Sequence, residues 1–293
     1  MRKDRRRALT RFVFIADTHL GAGTMGFHQQ PAYPERLPEL LAHLDAWITR
    51  DGAIDFVIHG GDIVDAATEE GIRAAAERFR LSVPVYLSPG NHDLTAPNAL
   101  DLWLSLAPEF FPGGTPEFSV AATGCSVHAR TTHWDEVPYR WNAVQDAHFV
   151  PGQLDGLGEA VTCAPEHAHV FVTHSPAAAI PPEQTGLDEA AHDPGREFAD
   201  TVQALVTRCP RIGCTLGGHN HVNTCVRCGG ARCVTASAFV ETPFEFKLVE
   251  AGTRTLKMST VSLLPQVGFD VDYDAGGAFV QGRARDRAFE IAL

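Results

Sequence analysis

The sequence contains no run of about 18 apolar residues, which excludes a conventional membrane-spanning helix. A basic opening, residues 1–7, precedes only a short apolar stretch, FVFIA at 12–16, too brief for the core of a secretion signal. The cytosol is therefore the expected location, with no membrane partner. Positive charge is also scarce. Lys and Arg number 24 against 36 Asp and Glu, a net charge of −12. That balance argues against broad, sequence-independent binding to nucleic acid, which rests on cations neutralising phosphates. The seven cysteines are odd in number, which argues against a disulfide framework. "CVRCGGARC" (225–233) has no second C-x-x-C to complete a zinc ribbon, and Gly229-Gly230 reads as a hairpin turn. Internal repeats and long low-complexity segments are absent too.

What the chain does hold is ordinary globular material, 44% apolar and 20% charged, enough to bury a core. "RFVFIADTHLG", "DFVIHGGD" and "VPVYLSPGNHD" each open as a buried strand and end in glycine or polar residues. Between them, residues 34–50 and 67–81 carry apolar side chains at helical spacing. The order β-α-β-α-β predicts parallel strands with crossover helices. Further on, a helix is expected at 98–106 and a hairpin around Gly124. A buried strand in "HVFVTHSP" and a helix at 196–208 come next. A strand at 212–216 runs into "LGGHNH", and a last hairpin turns at Ala251-Gly252. The expected arrangement is two sheets packed together with helices outside, in a single domain spanning 1–293. Its core covers about 10–264, with a C-terminal extension over 265–293.

The polar residues fall at strand ends: Asp17 and His19, then Asp62, then Asn91, His92 and Asp93, then His174, then His219 and His221. Open α/β sheets bind ligands at the carboxyl ends of their strands. In extended chain, residues i and i+2 face one side, so both rings of H-x-H can face one point. These nitrogen and oxygen donors suit Mn, Fe, Zn, Ni or Co without selecting one. Seven donors are too many for one tetrahedral zinc. They suit two metals about 3.5–4 Å apart that share a carboxylate, a clamp for phosphate esters.

In order, D-x-H, G-G-D, G-N-H-D, a strand-end His and G-H-x-H resemble the calcineurin-like metallophosphoesterases. The resemblance implies a four-layer α/β/β/α sandwich with two mixed sheets flanked by helices, built around a dinuclear centre. It implies that Asp17, His19 and His221 hold one metal and Asn91, His174 and His219 the other, with Asp62 bridging. A hydroxide between the metals would attack phosphorus in line, and manganese is the favoured activating ion. His92 would contact the phosphate with Asn91 and stabilise or protonate the leaving oxygen. Asp93 would orient His92 or raise its pKa.

The expected function is a phosphoesterase for small molecules, a phosphodiesterase or phosphatase. A nuclease acting on DNA or RNA ends is the second alternative. A non-catalytic scaffold on the same fold is the third. A homo-oligomer stays open. Among the other polar residues, His59 reads as structural and Asp65 as a cap for the helix after Asp62. His133, Trp134 and Arg140 are candidate substrate contacts, and the loop 176–195 a candidate rim.

Overall fold

The computed structural model describes residues 9–132, 137–144 and 146–293. Its first half runs β1 (Leu9–Ile15), α1 (Leu37–Asp51), β2 (Phe56–His59), α2 (Glu69–Arg78), β3 (Val85–Leu87), α3 (Ala99–Leu106), β4 (Phe118–Ala122) and β5 (Cys125–Ala129). There follow α4 (Leu157–Cys163), β6 (Ala168–Val172), α5 (Pro182–Thr185), α6 (Arg196–Arg208), β7 (Ile212–Gly217), β8 (Thr224–Cys228) and β9 (Ala231–Thr235). The chain closes with β10 (Glu245–Gly252), β11 (Thr255–Ser262), α7 (Ala284–Arg287) and β12 (Ala288–Ala292). None of the described helices is long and apolar enough to cross a membrane.

Two six-stranded sheets form, in the orders β12-β11-β10-β1-β2-β3 and β4-β5-β6-β7-β9-β8. Strands β1, β2 and β3 are parallel, as are β5, β6, β7 and β9, while the remaining neighbours pair antiparallel. Side chains alternate across a strand, and β1 divides accordingly. Val13 and Ile15 pack with Leu40, Leu44 and Ile72 of the helices. Phe12 and Phe14 pack against Val127, Val170 and Cys214 of the second sheet. Beyond that sheet, Phe171 meets Phe198, Val202 and Leu205 of α6. These three apolar seams separate four layers, α/β/β/α.

Some expectations shift. The last hairpin turns two residues later than Ala251-Gly252, because Ala251 pairs with Leu256 and Gly252 with Leu9. Gly229-Gly230 does turn the β8–β9 hairpin, but Cys228 and Cys233 are joined there by a disulfide that the odd cysteine count gave no sign of. Asp65 caps nothing at α2. Thr68 is the N-cap, its hydroxyl accepting from the Gly71 N–H at 3.0 Å. The C-terminal extension is part of the first sheet, since β12 pairs with β11. The far ends of the described chain meet at the β10–β11 turn, with Leu9 opposite Gly252 and the Leu293 N–H on the Arg254 carbonyl.

Candidate metal centre

The parallel strands point their carboxyl ends to one place. Asp17 follows β1, Asp62 follows β2, Asn91 follows β3, His174 follows β6, and His219 and His221 follow β7. Backbone hydrogen bonds continue the β1–β2 pairing into the loops: the Asp17 N–H meets the Gly61 carbonyl at 3.0 Å, and the Thr18 N–H meets the Asp62 carbonyl at 2.9 Å. The turns are tight enough to need glycine. A Cβ on Gly218 would sit 2.5 Å from Asp17 Oδ2 and 2.6 Å from the Ala16 Cβ. One on Gly61 would collide with the His174 ring.

Two donor groups are made wholly of the ligand candidates, and His19 also belongs to a third with Asp65 and His92. Asp17, His19 and His221 place ligand atoms within 4.8 Å of one another, and so do Asp62, His174 and His219. His174 Nε2 lies 3.2 Å from Asp62 Oδ2, and His19 Nε2 lies 3.9 Å from the same oxygen, so Asp62 stands between the groups. All but His219 are buried. Buried polar atoms ordinarily find a partner. His19 Nε2 and Asn91 Oδ1 have no hydrogen-bond partner among the described residues. Both are donor atoms facing a cluster of nitrogen and oxygen, so the arrangement fits divalent metal ions.

Outer contacts aim the imidazoles. His221 Nδ1 donates to Glu241 Oε1 at 2.6 Å, and His174 Nδ1 donates to the Gly60 carbonyl at 2.8 Å. With Nδ1 carrying the proton, each Nε2 keeps a lone pair for the cluster. Glu241 is anchored in turn by the N–H groups of Gln29 and Gln30, at 3.1 and 2.8 Å. Sequence reasoning missed Glu241. The only signal was one acid inside an apolar stretch, "ASAFVETPF".

The electrostatics reflect crowding. Burial pushes the Asp17 carboxyl up from its usual range. Burial is the strongest single influence on Asp62 too, but the imidazoles of His174, His92 and His19 together outweigh it and hold that carboxyl well below 3.8. Pairing with Asp62 in turn raises His174 to about 9, against the opposing effect of burial. His59 is structural, as expected. Burial drives it down to about 3, and its ring meets the Thr18 hydroxyl at 3.0 Å and the Gly61 N–H at 3.2 Å.

His92 lies at the edge of the centre. Its Nδ1 donates to the Asp65 carbonyl at 2.7 Å, and its ring stacks on Trp141 at 5.6 Å. Asp93 does not orient this ring. Its carboxylate instead accepts the backbone N–H groups of Asp62, Ile63, Val64 and Gly90, at 2.8 to 3.2 Å. It clamps the two loops that carry Asp62 and Asn91. Burial and the nearby Asp62 push it up to about 7.

A cavity of about 590 Å³ opens over the centre, lined by His19, Asp62, Asn91, His219 and His221 of the ligand candidates and also by Phe27, Asp65, Trp141, Asp146, His192 and Asp193. The loop 176–195 supplies part of the rim, through Pro176 and residues 192–195. Phe27, Trp141 and His192 carried no signal in sequence. Arg140 is exposed and outside the lining. His133 and Trp134 lie outside the described residues.

Solved structures of diverse proteins share the fold. The purple acid phosphatase of yellow lupin (Lupinus luteus) aligns with 98% of this chain at 14% identity and a TM-score of 0.55, and the chain spans only 54% of its length. GAP50, the anchor in the inner membrane complex of Plasmodium, aligns at 11% identity and a TM-score of 0.60, covering 92% of this chain and 88% of that one. The sulfate thiohydrolase of Thermus thermophilus aligns at 14% identity and a TM-score of 0.50, over 92% of this chain and 59% of its own. Among curated proteins none matches in sequence. Residues 10–223, which carry all seven ligand candidates and His92, match the family model for calcineurin-like phosphoesterase. The chain belongs to that family, whose members hydrolyse phosphoric esters at a dinuclear metal centre.

Proposed function

We propose that this chain is a small-molecule phosphodiesterase or phosphatase, formed as one domain and activated best by manganese. The observation that carries the proposal is the pair of donor groups, joined by Asp62, on the floor of an approximately 590 Å³ cavity with His92 beside them. Asp17, His19 and His221 would hold one ion, and Asn91, His174 and His219 the other, with Asp62 between the two groups as a shared ligand. When bound, the two ions supply Lewis acidity and an activated water. His92 handles the leaving group. The Asp65 carbonyl keeps Nδ1 engaged as a donor, so Nε2 is the atom that passes a proton to the departing oxygen. Asn91 would hold a metal and border the phosphate. Asp93 acts through the backbone, keeping Asp62 and Asn91 in register.

The cavity's own charge supports small substrates over nucleic acid. Asp65, Asp146 and Asp193 line it, and its described lining holds no Lys or Arg, an unfavourable surface for a polyanion. The test is a manganese-supplemented assay of a phosphodiester, a phosphomonoester and a cyclic nucleotide, with metal analysis of each protein. Wild type should turn over at least one ester. Asp62→Asn should lose metal and activity together. His92→Ala should keep both metals and lose on the order of 10²–10⁴-fold in turnover. An Asp62→Asn protein with full activity would sink the proposal.

A further inference from the structure

Among the described residues, eight non-glycine residues have positive φ, and five of them are Asp17, His19, Asp62, His219 and His221. Such backbone is costly away from glycine and collects where a site holds it in place. Of the other three, Tyr139, His192 and Phe244, only His192 (φ 49°) lines the cavity. It marks a site residue that the metal centre does not use.

The surroundings of His192 define its chemistry. The Phe27 ring meets it at 5.9 Å, and its Nε2 lies 3.1 Å from Gln29 Nε2. The same Gln29 nitrogen donates to the Asn220 carbonyl at 3.4 Å. A carbonyl only accepts, so the amide NH₂ is the group that faces both partners. His192 Nε2 is therefore the acceptor, and the ring proton sits on Nδ1. The ring is a neutral N–H donor, and no described side chain takes that hydrogen.

Position supplies the rest. The rings of Trp141, His92, His19, His221, Phe27 and His192 follow one another along the cavity, with centroid steps of 5.6, 4.8, 5.4, 5.0 and 5.9 Å. His92 serves the leaving group near one end. A phosphodiester has a second alcohol arm, and the other end of the arc, at Phe27 and His192, remains to receive it. A monoester has no such arm.

We propose that His192 determines specificity by hydrogen-bonding, through Nδ1–H, the retained arm of a phosphodiester whose face rests on Phe27. The arm is uncharged and carries an oxygen acceptor, since a neutral donor and an aromatic face meet it. This rests on the phosphoesterase reading above.

The experiment compares bis(p-nitrophenyl) phosphate with p-nitrophenyl phosphate in manganese-loaded protein. His192→Ala should lower the diester-to-monoester ratio of kcat/KM roughly tenfold, the worth of one lost hydrogen bond. The loss should lie in the diester KM, as expected for binding remote from the reacting bond. His192→Asn should recover most of the ratio, because Asn tolerates left-handed backbone and keeps an N–H. His192→Gly relaxes the backbone without a donor and should behave as Ala does. All three should retain wild-type metal content. An unchanged ratio in His192→Ala, or recovery by Gly but not Asn, overturns the inference while leaving the phosphoesterase reading intact. A wild type inactive on both esters overturns the two together.

Discussion

Glu241 shows how much a single side chain decides at this site. It is fully buried, with one oxygen on the His221 ring and the other on two backbone N–H groups. Every contact is a donor pointing at a carboxylate. An amide in its place would have to turn its own NH₂ toward one of those donors. Glu241→Gln should therefore weaken metal binding by about 10- to 100-fold, read by competition with a chromophoric chelator. Affinity within a factor of two of wild type would mean that His221 needs no such orientation. The ligands themselves were legible because their spacing repeats at strand ends. Glu241 was not, because it lies 20 residues beyond His221 and meets it only through the fold. Asp65 failed for a related reason. Acidic residues near a helix start suggest a cap, but here His19 and His92 border the carboxylate at 3.6 and 3.7 Å. The left-handed backbone at five ligand candidates is also silent in sequence, since Asp and His do not announce positive φ as glycine does.

At the scale of elements, β4, β5 and β6 carry a hydrogen-bond relay far from the metal centre. Ser119 Oγ meets His128 Nδ1 at 2.7 Å, His128 Nε2 meets His169 Nδ1 at 2.9 Å, and His169 Nε2 meets the Ala164 carbonyl at 3.0 Å. The carbonyl sets the direction. His169 carries its proton on Nε2, so His128 must donate from Nε2 and accept at Nδ1. Adding a proton to either ring breaks the chain. Burial pushes His128 down to about 3. The unfolded chain takes up a proton near 6.5 while the folded one resists, so stability is present above pH 6.5 and is lost as pH falls toward 3. The full effect is on the order of a few kcal/mol. Metal-stripped wild type should lose Tm more steeply over this window than metal-stripped His128→Gln. Parallel Tm curves would show that the relay does not titrate in this way. Most elements here were visible from periodicity, and α6 matches its expected bounds of 196–208. Strand β12 was not visible, because five half-exposed residues after a four-residue helix give too short a pattern to read.

Across the whole molecule, the C-terminal extension straps the site loops to the first sheet. The Val280 carbonyl accepts the Asn223 N–H at 2.8 Å, and Gln30 exchanges hydrogen bonds with the Asp274 backbone at 2.9 and 3.0 Å. Arg287 grips the buried Glu245 with two nitrogens, at 2.5 and 3.0 Å. Glu245 also accepts from Asn223, whose Oδ1 receives the Lys247 ammonium at 2.6 Å. Burial lowers that lysine to about 8. Removing one partner of a buried pair leaves the other charge stranded. Arg287 is 29% exposed at its side chain, so Arg287→Ala should cost about 2 kcal/mol, less than a fully buried pair. Thermal unfolding should record a fall of several degrees, and Tm within a degree of wild type would refute the strap. That the extension docks at all could not be read in advance, since its partners lie in β10 and β11, just before β8, and in the loop before α1.

The meeting of Leu9 and Leu293 at the β10–β11 turn gives the molecule two poles. Strand β1 leaves that turn and delivers Asp17 at its other end, so Leu9 and Leu293 lie at the end of the first sheet away from the cavity. A label or bulky group placed at the β10–β11 turn would therefore sit far from the cavity and leave it open to substrate.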